Sequence, residues 1–531
     1  MLRLSNITVD LRKKEDLKKE ICYALNLKEE ELLDFQIHRK SLDARKNKIL
    51  FVYSFDVKVK NEEKTYRQMA GKKRIQLKKI SENQGADEIE FPVGSIAEDQ
   101  RPVVVGSGPA GLFATLILAL GGKNPILLER GKRVDERAVD VDKFWITGKL
   151  DEESNVQFGE GGAGTFSDGK LTTQINDTRC GFVLKELLNA GAPREILYLN
   201  KPHIGTDILK IVVRNLREKI VSLGGEVRFQ HKLTNLIIED HEVRGLIVND
   251  DYEIRSDQII LALGHSARDT LEMLHERGVF MEQKPFSLGV RIEHLQKEID
   301  KVQYGKYAGN PKLGASDYKL SHRCRNGRGV YTFCMCPGGE VIGASSEANR
   351  LVTNGMSRYK RNEVNANAAL LVGIDPRDFP GEHPLAGFQL QRELEQKAFE
   401  LGGKNYYAPV QRVEDFLLNQ ETSEIGKVQP SYLPGVKGTN LRRILPEYVS
   451  KAIEEALPHM DHKLKGFADA DSILTGVETR SSSPVRIKRN ENFRSSIKGL
   501  YPAGEGAGYA GGIISAAVDG VRVAQELLKS R

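Results

Sequence analysis

Apolar and polar positions along this chain change period several times, and each change marks an element. Val103–Val105 is a short apolar strand, "GSGPAG" a glycine-rich turn, and the stretch from Ala110 to about Leu120 an apolar helix. "PILLER" then reads as a second strand ending in an acid, which completes a β-α-β unit. "TDILKIVVRNLREKIVSLGGEVRF" predicts a helix followed by a strand. "LTNLIIEDHEVRGLIVNDDYEIRSDQIILALG" alternates as a β-meander and closes on an apolar strand. At the far end, "GLYPAGEGAGYAGGIISAAVDGVRVA" repeats the order strand, glycine turn, helix. A dinucleotide-binding fold opens this way, so its place near the end of the chain needs a reason.

Residues 1–95 carry a separate pattern. "MLRLSNITVDL" alternates as a strand, Leu17, Ile21, Ala24 and Leu25 have helical spacing, and "ILFVYSFDVKVK" is a β-branched and aromatic strand. "FPVGSIAEDQRP" reads as a linker. From 276 to 470 the pattern is irregular, with long loops between mixed elements. The expected fold is α/β: a discontinuous Rossmann-like domain over 98–275 and 471–531, an inserted α+β substrate domain over 276–470, and a small basic α/β domain over 1–95.

Composition narrows the function classes. The 531 residues, 40% of them hydrophobic, suffice for two or three domains. Charged residues make up 29% and are spread along the chain, which argues against wholesale disorder. The net charge is +6, and residues 1–95 hold 21 Lys and Arg against 16 Asp and Glu, so most of the excess lies there. Within them, "FQIHRKSLDARKNK" permits RNA or partner binding as well as a solvated or docked face. No aromatics interleave its charges, so nucleic acid is not the favoured partner. Five cysteines, a low and odd number, point to a reducing compartment. No signal-peptide core is visible, and the longest apolar run, Leu112–Leu120, is about half a bilayer span. A cytoplasmic protein without a membrane span is expected.

Gly106, Gly108 and Gly111 form G-x-G-x-x-G directly after a strand, with Ser107, Pro109 and Ala110 filling the turn. The first glycine permits the turn, the second lets backbone approach a pyrophosphate, and the third packs helix on strand. The helix N-terminus offers free N–H groups to phosphate. Glu129 ends the second strand, before Arg130, and is placed to accept ribose hydroxyls. An acid there favours FAD or NAD over NADP.

The final segment resembles that of the two-dinucleotide-binding-fold flavoproteins, in particular the fumarate reductase-like group. In that group the last strand-turn-helix returns to the first fold, which implies FAD and explains the late position. Gly504 would make the turn, and Glu505 would hold ribityl or phosphate oxygens. Gly511, Gly512 and Ile513 would open a helix towards the flavin. "IILALG", with Ala262 and Gly264, resembles the strand that turns beneath the cofactor, with Leu263 where the group has Thr. "FGEGGAGTFSDGKL" resembles the glycine-rich segment along the flavin and supplies Gly161, Gly162, Ala163, Gly164 and Thr165. It contains no histidine for a covalent link, so noncovalent FAD is expected. Leu233, at the head of the meander, is placed in the same cofactor shell. With "TGVETRSSSPVRI" and "CMCPGG", nearly the whole chain resembles a family of largely uncharacterised bacterial FAD-dependent dehydrogenases with a small N-terminal domain. The resemblance implies an oxidoreductase fold and cofactor but no substrate.

Chemistry beyond the cofactor rests on fewer residues. The resemblance puts Gly476 and Val477 near the flavin ring, with Glu478, Thr479 and Arg480 facing ring or substrate. Arg480 would clamp a carboxylate in two-point geometry, or else pair structurally with Glu478 or a distant acid. Cys334 and Cys336, two apart on a strand, share a face. They read as a dithiol that exchanges electrons, with Cys336 a catalytic candidate, or as two structural cysteines. No metal site is expected, since Cys324 with His322 offers too few ligands. Residues 130–470 contain no second strand-glycine-helix unit for NAD(P)H. Hydride therefore comes directly from a small anionic substrate, or electrons come from a partner protein or a transiently bound NAD(P)H. The alternative function is RNA modification or RNA binding through the basic N-terminal domain.

Overall fold

The structure, a computed structural model, describes residues 1–45, 48–69, 75–80 and 101–529. Most of the expected linker, and the boundary between 95 and 98, lie outside the described residues.

Five short strands form one parallel sheet, in the order Leu500–Pro502, Ile259–Leu261, Val103–Val105, Ile126–Glu129, Glu226–Phe229. The first four are buried throughout, because helices cover one face and a meander the other. Helices Pro109–Leu120, Thr206–Ser222 and Ile513–Lys529 pack around Val104, Leu127 and Ile260. The opposite face, with Val103, Val105 and Leu128, packs on the meander Leu233–Glu239, Glu242–Val248 and Tyr252–Arg255. The late strand thus joins the edge of the first fold in parallel register, Ile259 opposite Leu500.

A seven-stranded sheet makes the second body. Its order is Ser321–Arg323, Gly329–Cys336, Asn365–Ile374, Phe286–Leu295, Ile473–Glu478, Ala408–Arg412, Val436–Gly438. All pairs are antiparallel except the last. Its central strands are buried on both faces, so their residues do not alternate and the sequence pattern looks irregular. Strand Ile473–Glu478 lies inside this sheet, which moves the start of the late nucleotide-fold segment beyond the expected 471.

The N-terminal unit is an antiparallel sheet ordered Leu32–Asp43, Leu50–Val59, Leu2–Asp10, Gln76–Lys79, with two helices. Tyr304, Tyr307 and Leu313 pack against its core. Lys40 exchanges backbone hydrogen bonds with Tyr198 and Asn200 at 2.7 and 2.9 Å. Within the basic stretch, Lys40 pairs with Glu15 at 3.3 Å and Arg45 with Asp43 at 2.7 Å, and residues 46 and 47 lie outside the described residues. Among the described residues no helix is long and apolar enough to cross a membrane.

Candidate functional site

Three turns from distant parts of the chain meet at the carboxyl end of the parallel sheet. In the first, Gly106 has φ +101°, and a Cβ there would strike the carbonyl of Ala262. A Cβ on Gly111 would strike the carbonyl of Gly106. Backbone packing alone demands these two glycines. Gly108 is different: its φ is −70°, and a Cβ would meet only Gly162 Cα, at 3.9 Å. It caps helix Pro109–Leu120 without a side-chain bond, so the N–H groups of Ala110 and Gly111 lack an intrahelical partner. That arrangement receives phosphate oxygens.

The second turn, Gly161–Thr165, lies on the first. Gly161 N–H donates to the Ser107 carbonyl at 3.0 Å, and a Cβ on Gly162 would stand 2.9 Å from Gly108 Cα. Ala163–Phe166 closes a short 3-10 turn with Thr165 buried, and Gly164 faces Ile513. What holds this segment was not legible in the sequence. Arg137, fully buried, donates to the carbonyls of Asn155, Val156, Gly159, Glu160 and Gly162. Burial lowers its pKa to about 10, which leaves it a cation at neutral pH.

The third turn carries Gly504, at φ +72°, packed on Ala110, with its N–H donating to Asp519 at 2.8 Å. Arg489 holds Asp519 from the other side at 2.7 Å. Ala262 is buried against Ala110 and Ala516, while a Cβ on Gly264 would stand in open space. Next to it, both ring nitrogens of His265 are buried and make no hydrogen bond; Glu505 Oε1 stands 3.4 Å from Nδ1. Gly511 adjoins Glu505, and Gly512 follows at the exposed start of helix Ile513–Lys529.

Glu129 departs from its expected role. It is 5% exposed and accepts from Ser107 N–H at 2.9 Å, Ser107 Oγ–H at 2.6 Å, Gly131 N–H at 2.9 Å and Gly159 N–H at 3.0 Å. Each oxygen already has two donors, so this carboxylate fixes the first two turns instead of waiting for a ribose. Arg130 pairs with Glu153 and Asp269 and stacks on Phe158. It lines a cavity of about 270 Å³ with Gly131, Lys132, Gln230, Lys232 and Asn249. Leu233 is a buried core residue and does not line that cavity. A cavity of about 620 Å³ lies elsewhere, between helices Arg268–Glu276 and Ala386–Gly402, and no predicted site residue lines it.

The residues expected to carry chemistry divide between two buried charge clusters. Arg480 Nε and Nη2 donate to Glu395 at 3.0 and 2.9 Å, and Nη1 donates to Ser266 and Ser346. Thr479 Oγ donates to the same Glu395 at 2.7 Å, and Arg268 reaches it at 2.7 and 3.0 Å. Arg480 therefore has the distant-acid pairing, not a free fork for a substrate. Burial works to raise the Glu395 pKa, but Arg268 and Arg480 outweigh it and hold the carboxyl well below its usual range. Glu478 faces the other way and pairs with buried Arg291 at 2.6 Å; burial pushes its pKa up against that arginine.

Cys334 and Cys336 sit at a bulge, where Cys334 takes φ +41°. Cys336 Sγ donates to the Cys334 carbonyl at 3.2 Å. A hydrogen bond from the Cys336 thiol lowers the Cys334 pKa; burial opposes this, and nearby Lys170 and Arg291 add to the lowering. The Cys336 thiol moves up. Lys170 belongs to the second-turn segment and pairs with Asp168 at 2.8 Å, which Arg361 clamps at 2.8 and 2.6 Å.

Comparison with known proteins places this arrangement. Residues 285–481 match the family described as "FAD-dependent protein, C-terminal domain-like", and residues 1–58 match a domain of unknown function. An uncharacterized protein of Clostridium beijerinckii is 49% identical over 99% of this chain and 98% of its own. The chain belongs to this family of FAD-dependent proteins. A digeranylgeranylglycerophospholipid reductase of Methanosarcina mazei is 25% identical over 30% of this chain and 37% of its own. Among solved structures, an E. coli quinol fumarate reductase variant aligns over 81% of this chain and 70% of its own, at 14% identity and a TM-score of 0.35. A geranylgeranyl bacteriochlorophyll reductase-like protein of Thermoplasma acidophilum aligns over 81% and 79%, at 13% identity and a TM-score of 0.34. FAD fits the residues present: the helix start at Gly108 has no side-chain cap, the space beside Gly264 is open, and the buried ring nitrogens of His265, next in the chain, make no hydrogen bond.

Proposed function

We propose that this protein is an FAD-dependent oxidoreductase that exchanges a hydride with a small anionic molecule. The packing of three glycine turns on one another supports this reading most directly: Gly161 on Ser107, Gly162 on Gly108 and Gly504 on Ala110. Gly106, Ser107, Gly108, Pro109, Ala110 and Gly111 would receive the pyrophosphate at the helix start. Gly161, Gly162, Ala163, Gly164 and Thr165 would lie along the ring system, with Ala262 and Gly264 beneath it. Gly504, Glu505, Gly511, Gly512 and Ile513 would close the far edge. The cavity beside Arg130 suits the adenosine end. When bound, FAD supplies the two-electron acceptor; the chain's task is to hold it, orient substrate and exclude water. His265 would complete its hydrogen bonds on the cofactor. Lys170 would face the anion, because Coulomb attraction from Asp168 outweighs burial and keeps it charged, whereas four of the five Arg480 N–H groups are already engaged by Glu395, Ser266 and Ser346.

Purified protein should be yellow, and acid precipitation should leave the flavin in the supernatant. Lys170→Met should keep that flavin and lose its reduction by the substrate anion. Colourless protein that cannot be reconstituted would sink the cofactor assignment. Unchanged reduction in Lys170→Met would sink the anion reading alone.

A further inference from the structure

We propose that the chain carries a second ligand site, for one zinc-like divalent cation held by His322, Cys324 and Glu455. None of the glycine-turn residues belongs to it. Strand Ser321–Arg323 is the outermost strand of the seven-stranded sheet, and helix Glu447–Lys463 packs across it. His322 lies on the strand and Cys324 just past its end, and both turn towards that helix. His322 Nε2 stands 3.2 Å from Glu455 Oε1, and Cys324 Sγ points at the Ala452 carbonyl one helical turn earlier. The three ligand atoms all lie within 4.8 Å of one another.

These separations are near what a metal requires. Zinc–ligand bonds of about 2.0–2.3 Å in a tetrahedron put neighbouring ligand atoms about 3.3–3.8 Å apart. The imidazole and carboxylate already stand close to such an edge, so a modest side-chain movement closes the set. A thiolate, an imidazole and a carboxylate together suit zinc, while magnesium and calcium prefer oxygen ligands. The charges balance as well: a deprotonated thiol and a carboxylate neutralise a dication.

The surroundings orient the ligands. Arg325 N–H donates to Glu455 Oε1 at 2.9 Å and fixes the carboxylate. His459, one helical turn beyond Glu455, stacks on the His322 ring at 4.2 Å with 9° between planes. Two parallel imidazoles direct their in-plane lone pairs side by side, not to one point. His459 therefore fixes the plane of His322 and leaves the fourth position to water. The sequence shows only His322 and Cys324; Glu455 comes from a helix, 133 residues after His322.

The test uses the full-length, flavin-loaded protein, stripped with a chelator. Equilibrium dialysis against zinc should give one ion per chain, with tight retention. Cobalt should give the intense red-region d–d bands of four-coordination, clear of flavin absorption. Cys324→Ser should shift and weaken those bands. His322→Ala and Glu455→Gln should each lower affinity by about tenfold or more. His459→Ala should still bind one ion. Retained flavin in each variant shows that the fold is intact. No stoichiometric zinc at concentrations near that of the protein overturns the proposal, and so does binding that is unchanged in Cys324→Ser and His322→Ala.

Discussion

Two buried arginines share the buried Glu395 carboxylate. Arg268 and Arg480 donate to it, as does Thr479, and both it and Arg268 are sealed from solvent. Removing the shared partner leaves two buried cations without the carboxylate that offsets both, with Arg268 still on Glu347 and Gln391 and Arg480 on Ser266 and Ser346. Glu395→Ala should therefore cost about 3–5 kcal/mol, read by chemical denaturation. Arg480→Lys should lose stability and flavin together, because Arg480 also donates to Ser266, next to His265. Lost turnover with unchanged stability and flavin would restore Arg480 as a substrate clamp. The pH dependence has a definite sign. The folded pKa of Glu395 lies below its ordinary value of 4.5, so this stabilisation is complete above that value. It declines as acid lowers the pH towards the depressed folded pKa. Glu395→Gln should flatten that acid limb of the stability profile.

At the scale of the element, the glycine turn separates what packing needs from what a ligand needs. Gly111→Ala would drive a methyl into the Gly106 carbonyl, so it should destabilise the fold whether flavin is present or not. Gly108→Ala meets only Gly162 Cα at 3.9 Å, an ordinary contact. It should leave flavin-free stability within about 0.5 kcal/mol and weaken flavin binding by about tenfold or more. Thermal melts of the flavin-free variants and flavin titrations check this; equal effects of the two substitutions would refute the division. This turn was legible in the sequence from its glycine spacing between strand and helix, although only Gly111 answers to a local carbonyl while Gly106 answers to Ala262. Glu129 was legible as a position but not in its role, since Gly159 and Ser107 reach it only after folding. Arg137 and Arg268 gave no local signal at all, because their partners lie 18–127 residues away. The seven-stranded sheet hid for a related reason: strands buried on both faces lose the period-two pattern that marks a half-buried strand.

For the whole molecule, the question is how electrons arrive. Among the described residues there is one parallel sheet of the dinucleotide type, and it is closed by the last strand of the chain. The other large sheet is antiparallel apart from one edge pair, and its elements do not alternate strand with helix as a nicotinamide-binding unit does. A nicotinamide would have to approach the bound flavin without a domain built to orient it. The orienting contribution of such a domain is large, since a positioned reactant removes much of the entropic barrier to hydride transfer. Rapid mixing under anaerobic conditions should therefore show slow reduction by NADH and NADPH, rising linearly with concentration and without preference between them. The physiological reductant, whether substrate or partner protein, should instead give saturation. Fast, saturable reduction by either nicotinamide at micromolar concentration would show a site formed between the two sheets, and the direct-substrate reading would have to be withdrawn.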